Sequence, residues 1–528
     1  MTRGDGREAT GATPVGAPSA GAPFLDLATL RRGASACAGV ACLFAWTNLL
    51  LCFEGALRDT AIERGGIVHD PFFFAATLTA GLLLVAASAV GRCRAARPRV
   101  CHAGERVAHS PSPVARRATW TLAALGSAAG ASALLLAWLA PDALPALPPL
   151  SGAVAGAFVA WATLAWASAL ARMDLRAALL ATFTAACLEW LPLVVLDTLP
   201  LAGRVALVAL LPPASVACLA RTARGLGRAD AGEQTVAVLG AGAGDAGAGI
   251  IVRMALMTLT FFCVIQLMWS YFIKMLVNRL DVGLFSLVFL FATFASCLVL
   301  GLCVAAMRRQ RAYRLELFYR TAFVTCLAGV VACGMAVGDA DAASVLPSYL
   351  LVYGGFSLAS PTVWMLALGC AHMGRHRATA VFGPVIGCQY LGMLLGALAV
   401  DAMARLAGTG AGTALLPRVM LACTLMLAIA YVAIFPERDL LSLSPLLFGM
   451  TSESIELRCR QVAAERGLTP REAEILALLA RGRDVAFISE QLCISRNTAS
   501  AHRKSIYAKL DVHSQQELMS VVESASEP

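Results

Sequence analysis

Four cations near the C-terminal end of the chain have a spacing that suits binding to DNA. The segment from Gln491 to Leu510 contains no acidic residue, and its basic residues are Arg496, Arg503, Lys504 and Lys509. Cations on a docking face contact phosphate oxygens, so their local distribution matters more than the net charge of a domain. The segment is therefore a candidate DNA-binding helix in a chain whose net charge is +9.

A second candidate is an acidic residue inside a long apolar stretch. Glu189 lies midway along the stretch 177–197, and an ionised side chain at the centre of a membrane helix costs about 2.5–3.5 kcal/mol. Glu189 is therefore a candidate for ligand or proton binding, with a structural hydrogen bond as the alternative. Weaker candidates are polar side chains that commonly bond to neighbouring helices, namely Asn48, Gln266, Gln389 and His372.

The composition excludes a purely soluble protein. Hydrophobic residues make up 59% of the 528 residues and charged residues 14%, and the mean hydropathy is +0.72. Apolar stretches long enough to cross a bilayer as a helix recur along most of the chain. The predicted transmembrane helices number twelve, at 34–54, 71–91, 119–139, 150–171, 177–197, 201–220, 254–276, 282–305, 321–338, 345–369, 379–401 and 416–435.

The order of these segments predicts an all-α protein with two kinds of domain. The longest connection, 221–253, divides the membrane domain 34–435 into two six-helix halves, 34–220 and 254–435. Residues 1–33 are predicted to form a disordered tail. Charged residues become frequent after Pro436, which predicts a linker and connecting helix over 436–467 and a C-terminal domain over 468–528.

The distribution of Lys and Arg predicts how the chain is oriented in the lipid bilayer. Alternate connections hold 24 basic residues on one side and seven on the other, and basic residues stay preferentially in the cytoplasm. With an even number of spans, we expect a multi-pass protein of the cell membrane whose N- and C-termini are both cytoplasmic.

The six-plus-six layout resembles the major facilitator superfamily of transporters in its topology. The best-known signature of that superfamily is a loop after the second span, Gly-x-x-x-Asp-Arg-x-Gly-Arg. At 91–99 this chain reads Gly-Arg-Cys-Arg-Ala-Ala-Arg-Pro-Arg, without the Asp and the second Gly. This departure argues against transport.

Neither metal nor cofactor chemistry is indicated. The 17 cysteines stand one by one, with no CxxC pair and no zinc-ligand spacing. The glycine-rich run at 239–249 lacks the strand, helix and acidic residue of a dinucleotide site. We therefore expect no metal site, no cofactor and no enzymatic activity.

The last 60 or so residues predict a bundle of four short helices. Thr469 and Pro470 are start signals for a helix over 470–480, and Ser495 is the start signal for a helix over 496–510. Apolar spacing predicts the other two helices at about 484–492 and at 514–523. Two helices joined by a tight turn, the second of them basic, form a helix-turn-helix that can enter a major groove.

At this point the sequence resembles the DNA-binding domain of LuxR-type transcriptional regulators over almost all of 468–523. The matching landmarks are Leu-Thr-Pro-Arg-Glu (468–472), Gly482, Ile488, Leu492, Ile494-Ser495, Asn497-Thr498, His502, Lys509-Leu510 and Val512. Two positions depart from the pattern: Ala499 stands where Val is usual, and Ser500 stands where Lys is frequent. The second departure removes the usual base contact at that position.

Helical geometry and the resemblance together assign roles along 496–510. With Ala499, Ile506 and Leu510 turned inward, the opposite face carries the candidates for contacts to base edges, namely Asn497, Ser500, Ala501, Lys504 and Ala508. The resemblance implies that Ser500, Ala501 and Lys504 face the bases, with Lys504 able to donate to guanine. The flanking phosphate contacts are then Arg496, Thr498, Arg503 and Lys509. The resemblance also implies a homodimer on double-stranded DNA, formed through 514–523.

These features predict a membrane-bound one-component transcriptional regulator. A twelve-helix domain would sense an unidentified small-molecule or membrane signal, the helix 452–466 would transmit it, and the LuxR-type domain would bind DNA. The alternative is a membrane transporter with an appended DNA-binding regulatory domain. A third interpretation is a helix-turn-helix that has become a protein-interaction module, because Ser500 and Ala501 offer little base recognition.

Overall fold

The computed structural model shows an all-α chain. It describes residues 27–51, 71–96, 113–139, 146–173, 175–189, 191–196, 199–229, 244–276, 294, 297–298, 315–336, 342–372, 378–407, 412–434, 452–480, 485–492 and 494–524. These residues belong to two compact units, one within 27–449 and the other within 450–528.

The first unit consists of apolar helices, several of which are long enough to cross a membrane. Their bounds are α1 Leu27–Leu51, α2 Pro71–Ala96, α3 Pro113–Leu139, α4 Leu147–Leu170, α5 Leu175–Leu188, α6 Leu191–Leu196, α7 Leu201–Ala229, α8 Gly244–Leu276, α9 Leu315–Ala336, α10 Ala342–His372, α11 Ala378–Ala407 and α12 Gly412–Ile429, which continues into a π-helical turn, Ala430–Ile434. Among the described residues, seven helices have the length and composition of a membrane span, and three shorter helices are also apolar. The chain is a multi-pass membrane protein.

The predicted spans correspond to these helices with one interruption. Eleven of the twelve spans coincide with described helices, and the eighth, 282–305, lies almost wholly outside the described residues. The predicted fifth span is two helices, α5 and α6, with Glu189 directly after the first. Pro192, the second residue of α6, explains the break, because it has no N–H to donate to the carbonyl oxygen of Leu188 at the end of α5.

Several helices extend beyond the predicted spans. The first begins at Leu27, within the predicted tail, whose residues 1–26 lie outside the described part of the chain. The predicted linker 221–253 contains the last turns of α7 and the first turns of α8. Only 230–243 of that linker lies outside the described residues.

Small residues and buried aromatic residues bring the membrane helices together. A Cβ added at Gly152 would overlap the carbonyl oxygen of Phe72, and one added at Gly156 would overlap that of Ala76, so α4 lies directly on the backbone of α2. The buried Trp166 donates from Nε1 to Ser215 Oγ at 3.0 Å, and Ser215 Oγ donates to Gly39 O at 2.7 Å. This chain of hydrogen bonds joins α4, α7 and α1.

In the part of the chain that the structure describes, the second unit is a bundle of five short helices. Their bounds are α13 Ser452–Glu465, α14 Pro470–Ala480, α15 Val485–Gln491, α16 Arg496–Leu510 and α17 Gln515–Ser524. The core contains Ile475, Leu479, Ile506 and Leu518, each at most 1% exposed. The predicted connecting helix contributes to this core as well, because Cys459 and Val462 of α13 are buried in it. The C-terminal unit therefore begins before residue 468 and includes α13.

We predict that Gly156→Ala destabilises the membrane unit. The added methyl group would meet the backbone of α2, and overpacking of this kind costs about 1–3 kcal/mol. The melting temperature of the full chain in detergent should fall by about 3 °C or more.

The matched control is Gly225→Ala, in α7, where an added Cβ meets nothing within 4 Å. This control should leave the melting temperature unchanged or raise it slightly, because alanine favours a helix over glycine. An equal melting temperature for Gly156→Ala and the unmodified chain would contradict the close contact of α2 and α4.

Candidate nucleic-acid interface

Local chemistry fixes both ends of the basic helix α16. Ser495 has extended backbone geometry, and its Oγ accepts a hydrogen bond from Thr498 N at 3.0 Å, which caps the helix. The last turn ends at Asp511, which adopts the left-handed conformation with φ 54°. The helix therefore spans Arg496–Leu510, as the sequence predicted.

One face of α16 lies in the core and the opposite face is exposed. Ala499, Ile506 and Leu510 are buried, each at most 2% exposed. The residues half a turn away are exposed, namely Asn497, Ala501, Lys504 and Ala508, and Ser500 at the edge is half-buried. The inward and outward faces agree with the prediction.

The four cations of α16 have different surroundings. Arg496 and Lys504 are exposed, and Arg503 is half-buried with its guanidinium 5.9 Å from the centre of the Tyr507 ring. Lys509 Nζ instead donates to Glu472 Oε2 at 2.7 Å, in an ion pair whose acidic partner is buried. The structure therefore places Lys509 in a contact between α14 and α16.

Glu472 is a buried carboxylate whose two oxygens both have partners. One oxygen accepts from Ser505 Oγ at 2.7 Å, and the other accepts from Lys509 Nζ and from Thr469 N at 2.8 Å. Thr469 Oγ1 in turn accepts from Glu472 N at 3.3 Å, which completes a reciprocal cap at the start of α14. The ion pair with Lys509, followed by the bonds from Ser505 and Thr469, lowers the pKa of Glu472 from 4.5 to about 2.

Two further side chains hold the ends of the helices in place. Arg471 donates from Nη2 to the carbonyl oxygen of Leu492, just after α15, at 3.0 Å. Gln515, the first residue of α17, donates from Nε2 to Leu479 O near the end of α14 at 2.9 Å. The sequence indicates Thr469 as a cap, but no local spacing predicts these connections between helices, which join residues 21 to 37 positions apart.

The candidate residue of the membrane unit lies at the break in the predicted fifth span. Glu189 is 5% exposed, its N donates to Ala185 O at 2.9 Å, and the Asn48 side chain of α1 hydrogen-bonds to its carboxyl group. Cys297 lies nearby. The structure thus brings together Glu189 and Asn48, two of the polar residues that the sequence singled out.

Residues 466–522 match the profile of the family described as bacterial regulatory proteins, luxR family, or GerE. Over 71 residues the chain is 39% identical to the "Uncharacterized response regulatory protein YgeK" of Escherichia coli (strain K12), covering 13% of this chain and 48% of that protein. Over 54 residues it is 43% identical to the "Transcriptional activator protein ExaE" of Pseudomonas putida, covering 10% of this chain and 25% of that protein. The chain thus spans less than half the length of these curated relatives.

The membrane unit aligns with solved structures at low identity. The proton:xylose symporter XylE of the major facilitator superfamily aligns with a TM-score of 0.47 and 13% identity, over 79% of this chain and 99% of that chain. The human organic anion transporter MFSD10 aligns with a TM-score of 0.49 and 15% identity, over 76% and 100%. Neither alignment indicates what the membrane unit binds or transports.

The C-terminal unit is therefore a LuxR-family helix-turn-helix domain, and membership in that family implies DNA binding. The same chain carries a multi-helix membrane domain.

We predict that Glu472→Gln destabilises the C-terminal unit near neutral pH. The substitution removes the charge that pairs with Lys509, and the cost should be about 2 kcal/mol in the free energy of unfolding. Because the pKa of Glu472 is lowered from 4.5 to about 2, its stabilisation is present above about pH 4.5 and is lost as the pH falls toward 2. Urea unfolding of the fragment 452–528 at several pH values measures both effects.

Glu474→Gln is the matched control, because Glu474 is exposed and pairs with Arg471 within the same helix. An exposed pair of this kind contributes less than about 1 kcal/mol. If Glu472→Gln kept the pH dependence of the unmodified fragment between pH 5 and 2, the role assigned to the buried carboxylate would be wrong.

Proposed function

We propose that this protein is a membrane-bound one-component transcriptional regulator. One observation carries the proposal: a LuxR-family helix-turn-helix and a multi-span membrane domain occur in the same chain. The membrane domain receives a signal and the C-terminal unit changes transcription by binding DNA. This arrangement requires a cytoplasmic C-terminus, which agrees with the excess of Arg and Lys expected on the cytoplasmic side.

In this proposal the exposed face of α16 enters a major groove. Lys504 donates to guanine O6 or N7, and Ala501 and Ser500 approach the base edges as short side chains. Arg496, Thr498 and Arg503 contact phosphates on either side of the groove, together with the N–H groups at the start of the helix. The ion pair with buried Glu472 supports a structural role for Lys509 over a phosphate contact.

The protein binds DNA as a homodimer in this proposal, through α17. Leu518 and Val522 of α17 pack in the core of the unit, whereas Gln516, Glu517 and Ser520 are exposed. A contact made by such polar side chains buries little apolar surface. We therefore expect the dimer to form mainly on DNA with two half-sites, where both copies are held side by side.

The signal would be received in the membrane unit near Glu189. The carboxyl group of Glu189 is 5% exposed and hydrogen-bonded to Asn48. It lies between α5 and α6, and this arrangement resembles the discontinuous helices around transporter binding sites. A cationic or hydroxylated ligand has the donors that would replace the bond from Asn48.

We predict different effects for two neighbouring cations of α16. Lys504→Ala should lower the ratio of specific to random-duplex affinity by about tenfold, because Lys504 is placed at the bases. Arg503→Ala should weaken binding to all duplexes alike and lower the slope of log affinity against log salt by about one. Gel-shift titrations of the fragment 452–528, on a duplex selected from a random pool and on an unselected duplex, measure both.

Ala464→Ser, at an exposed position of α13 outside the proposed docking face, is the control and should leave affinity and preference unchanged. Equal losses on both duplexes for Lys504→Ala would reject its placement at the bases. If Lys504→Ala and Arg503→Ala both kept full affinity for DNA, the exposed face of α16 would not be the DNA-binding surface.

We also predict that Glu189→Gln removes the transcriptional response to the signal. The substitution replaces the ionisable carboxyl group with an amide of nearly the same size. A reporter gene placed under a promoter selected with the chain measures the response, and immunoblotting of membranes measures the amount of protein. The matched control is Asp401→Asn, at a second buried carboxyl group of the membrane unit, 7% exposed, which should keep the response. An unchanged response in Glu189→Gln would reject the site.

A further inference from the structure

Two cysteine side chains of the membrane unit lie next to each other beside Glu189. Cys187 is in the last turn of α5, and Cys297 is a helical residue within the predicted eighth span 282–305. The two side chains are hydrogen-bonded to each other, and both residues are free thiols. Positions 187 and 297 are far apart in sequence, so no local cysteine spacing predicts this pair.

The contact between these two thiols suits the formation of a disulfide. A disulfide joins two sulfur atoms about 2.05 Å apart and needs β-carbons about 3.8 Å apart. Two thiols that already share a hydrogen bond approach this geometry without a rearrangement of the helices that carry them. Cys187 lies two residues before Glu189 in the chain, and the carboxyl group of Glu189 is close to both sulfur atoms.

The exposure of the pair separates it from the cysteines that only fill space. Cys187 and Cys297 are both half-buried, whereas Cys326, Cys333 and Cys423 are buried. A buried thiol behaves as a small apolar side chain, and thiol chemistry requires that a reagent can reach the sulfur atom. The pair therefore meets the two requirements for oxidation, a neighbouring thiol and access.

The location of the pair limits the oxidants that can reach it. Cys187 lies at the middle of the predicted span 177–197, and Cys297 lies well inside the predicted span 282–305. Charged molecules such as glutathione are costly to place in the hydrocarbon core. A quinone is an apolar two-electron oxidant that dissolves there, so a quinone is the class of oxidant that fits this site.

We propose that Cys187 and Cys297 form a redox site that transfers electrons to a quinone dissolved in the bilayer. The two S–H bonds break and one S–S bond forms. The two electrons and two protons that are released reduce the two carbonyl oxygens of the quinone, which leaves as a hydroquinone. Reduction of the disulfide by a hydroquinone or a dithiol reverses the step.

This inference goes beyond the proposed function, because its chemistry depends neither on DNA binding nor on a ligand at Glu189. The disulfide holds the end of α5, which Glu189 directly follows. In the proposed regulator the pair therefore supplies a second input, the redox state of the membrane. Only that consequence rests on the proposed function, and the experiment below measures the chemistry alone.

The test is anaerobic incubation of the reduced full chain in lipid nanodiscs with decylubiquinone, a benzoquinone whose ring has no free position for a thiol to add to. The remaining thiols are then alkylated, and mass spectrometry under non-reducing conditions locates the disulfide. We expect a peptide pair that joins Cys187 to Cys297, with one quinone reduced for each disulfide formed. The matching hydroquinone should form no disulfide.

Three variants assign the reaction to this pair. Cys187→Ser and Cys297→Ser should each abolish the disulfide and the reduction of the quinone. Cys388→Ser, at a half-buried thiol of α11, is the matched control and should react like the unmodified chain.

Two results with the unmodified chain would overturn the proposal, and neither requires a variant to fold. One is the absence of a disulfide between Cys187 and Cys297 after incubation with the quinone. The other is a disulfide from Cys187 to Cys37 of α1, a third thiol close by. Undiminished quinone reduction in both Cys187→Ser and Cys297→Ser would also contradict it.

Discussion

The arrangement of the C-terminal unit depends on one buried carboxylate. Glu472 belongs to α14, yet its partners Ser505 and Lys509 belong to α16 and Thr469 precedes α14. Burying a charge costs several kcal/mol unless it is paired and hydrogen-bonded. Both oxygens of Glu472 are satisfied, so the carboxylate joins the two helices instead of destabilising them.

This interaction determines which side chains face outward. Lys509 and Ser505 anchor one flank of α16 to α14, while Ala499, Ile506 and Leu510 anchor its inner face in the core. The remaining face, which carries Asn497, Ala501 and Lys504, is therefore exposed at the surface of the unit. A carboxylate 30 to 40 residues away in sequence thus orients the surface proposed to contact DNA.

The membrane unit follows a different constraint, the need to satisfy backbone polar groups without water. Continuous helices meet it over most of the described residues. A break in the predicted fifth span, caused by Pro192, coincides with the buried Glu189. The ring nitrogens of His372, at the end of α10, lie close to two carbonyl oxygens near helix ends. Glu189 and His372, two polar residues that the sequence singled out, therefore both lie where regular helices end.

Much of the fold could be predicted because it is encoded locally. Thr469 with Pro470 gave the start of α14, and Ser495 gave the start of α16, each to the residue. Apolar periodicity gave the buried face of α16. The connections made by Glu472, Arg471 and His372 could not be predicted, because they join residues that are distant in sequence and depend on how the helices pack. Pro192 was a readable signal for the break after Glu189, but the continuous apolar stretch obscured it.

The central claim is that the chain binds particular DNA sites while it resides in the membrane. The most direct measurement is to cross-link cells, isolate membranes, immunoprecipitate the chain through an N-terminal tag, and sequence the attached DNA. The full chain should recover discrete DNA sites, and a chain that ends at residue 449 should recover none of them. Recovery of the same DNA by both chains, or no enrichment with the full chain, would contradict the account.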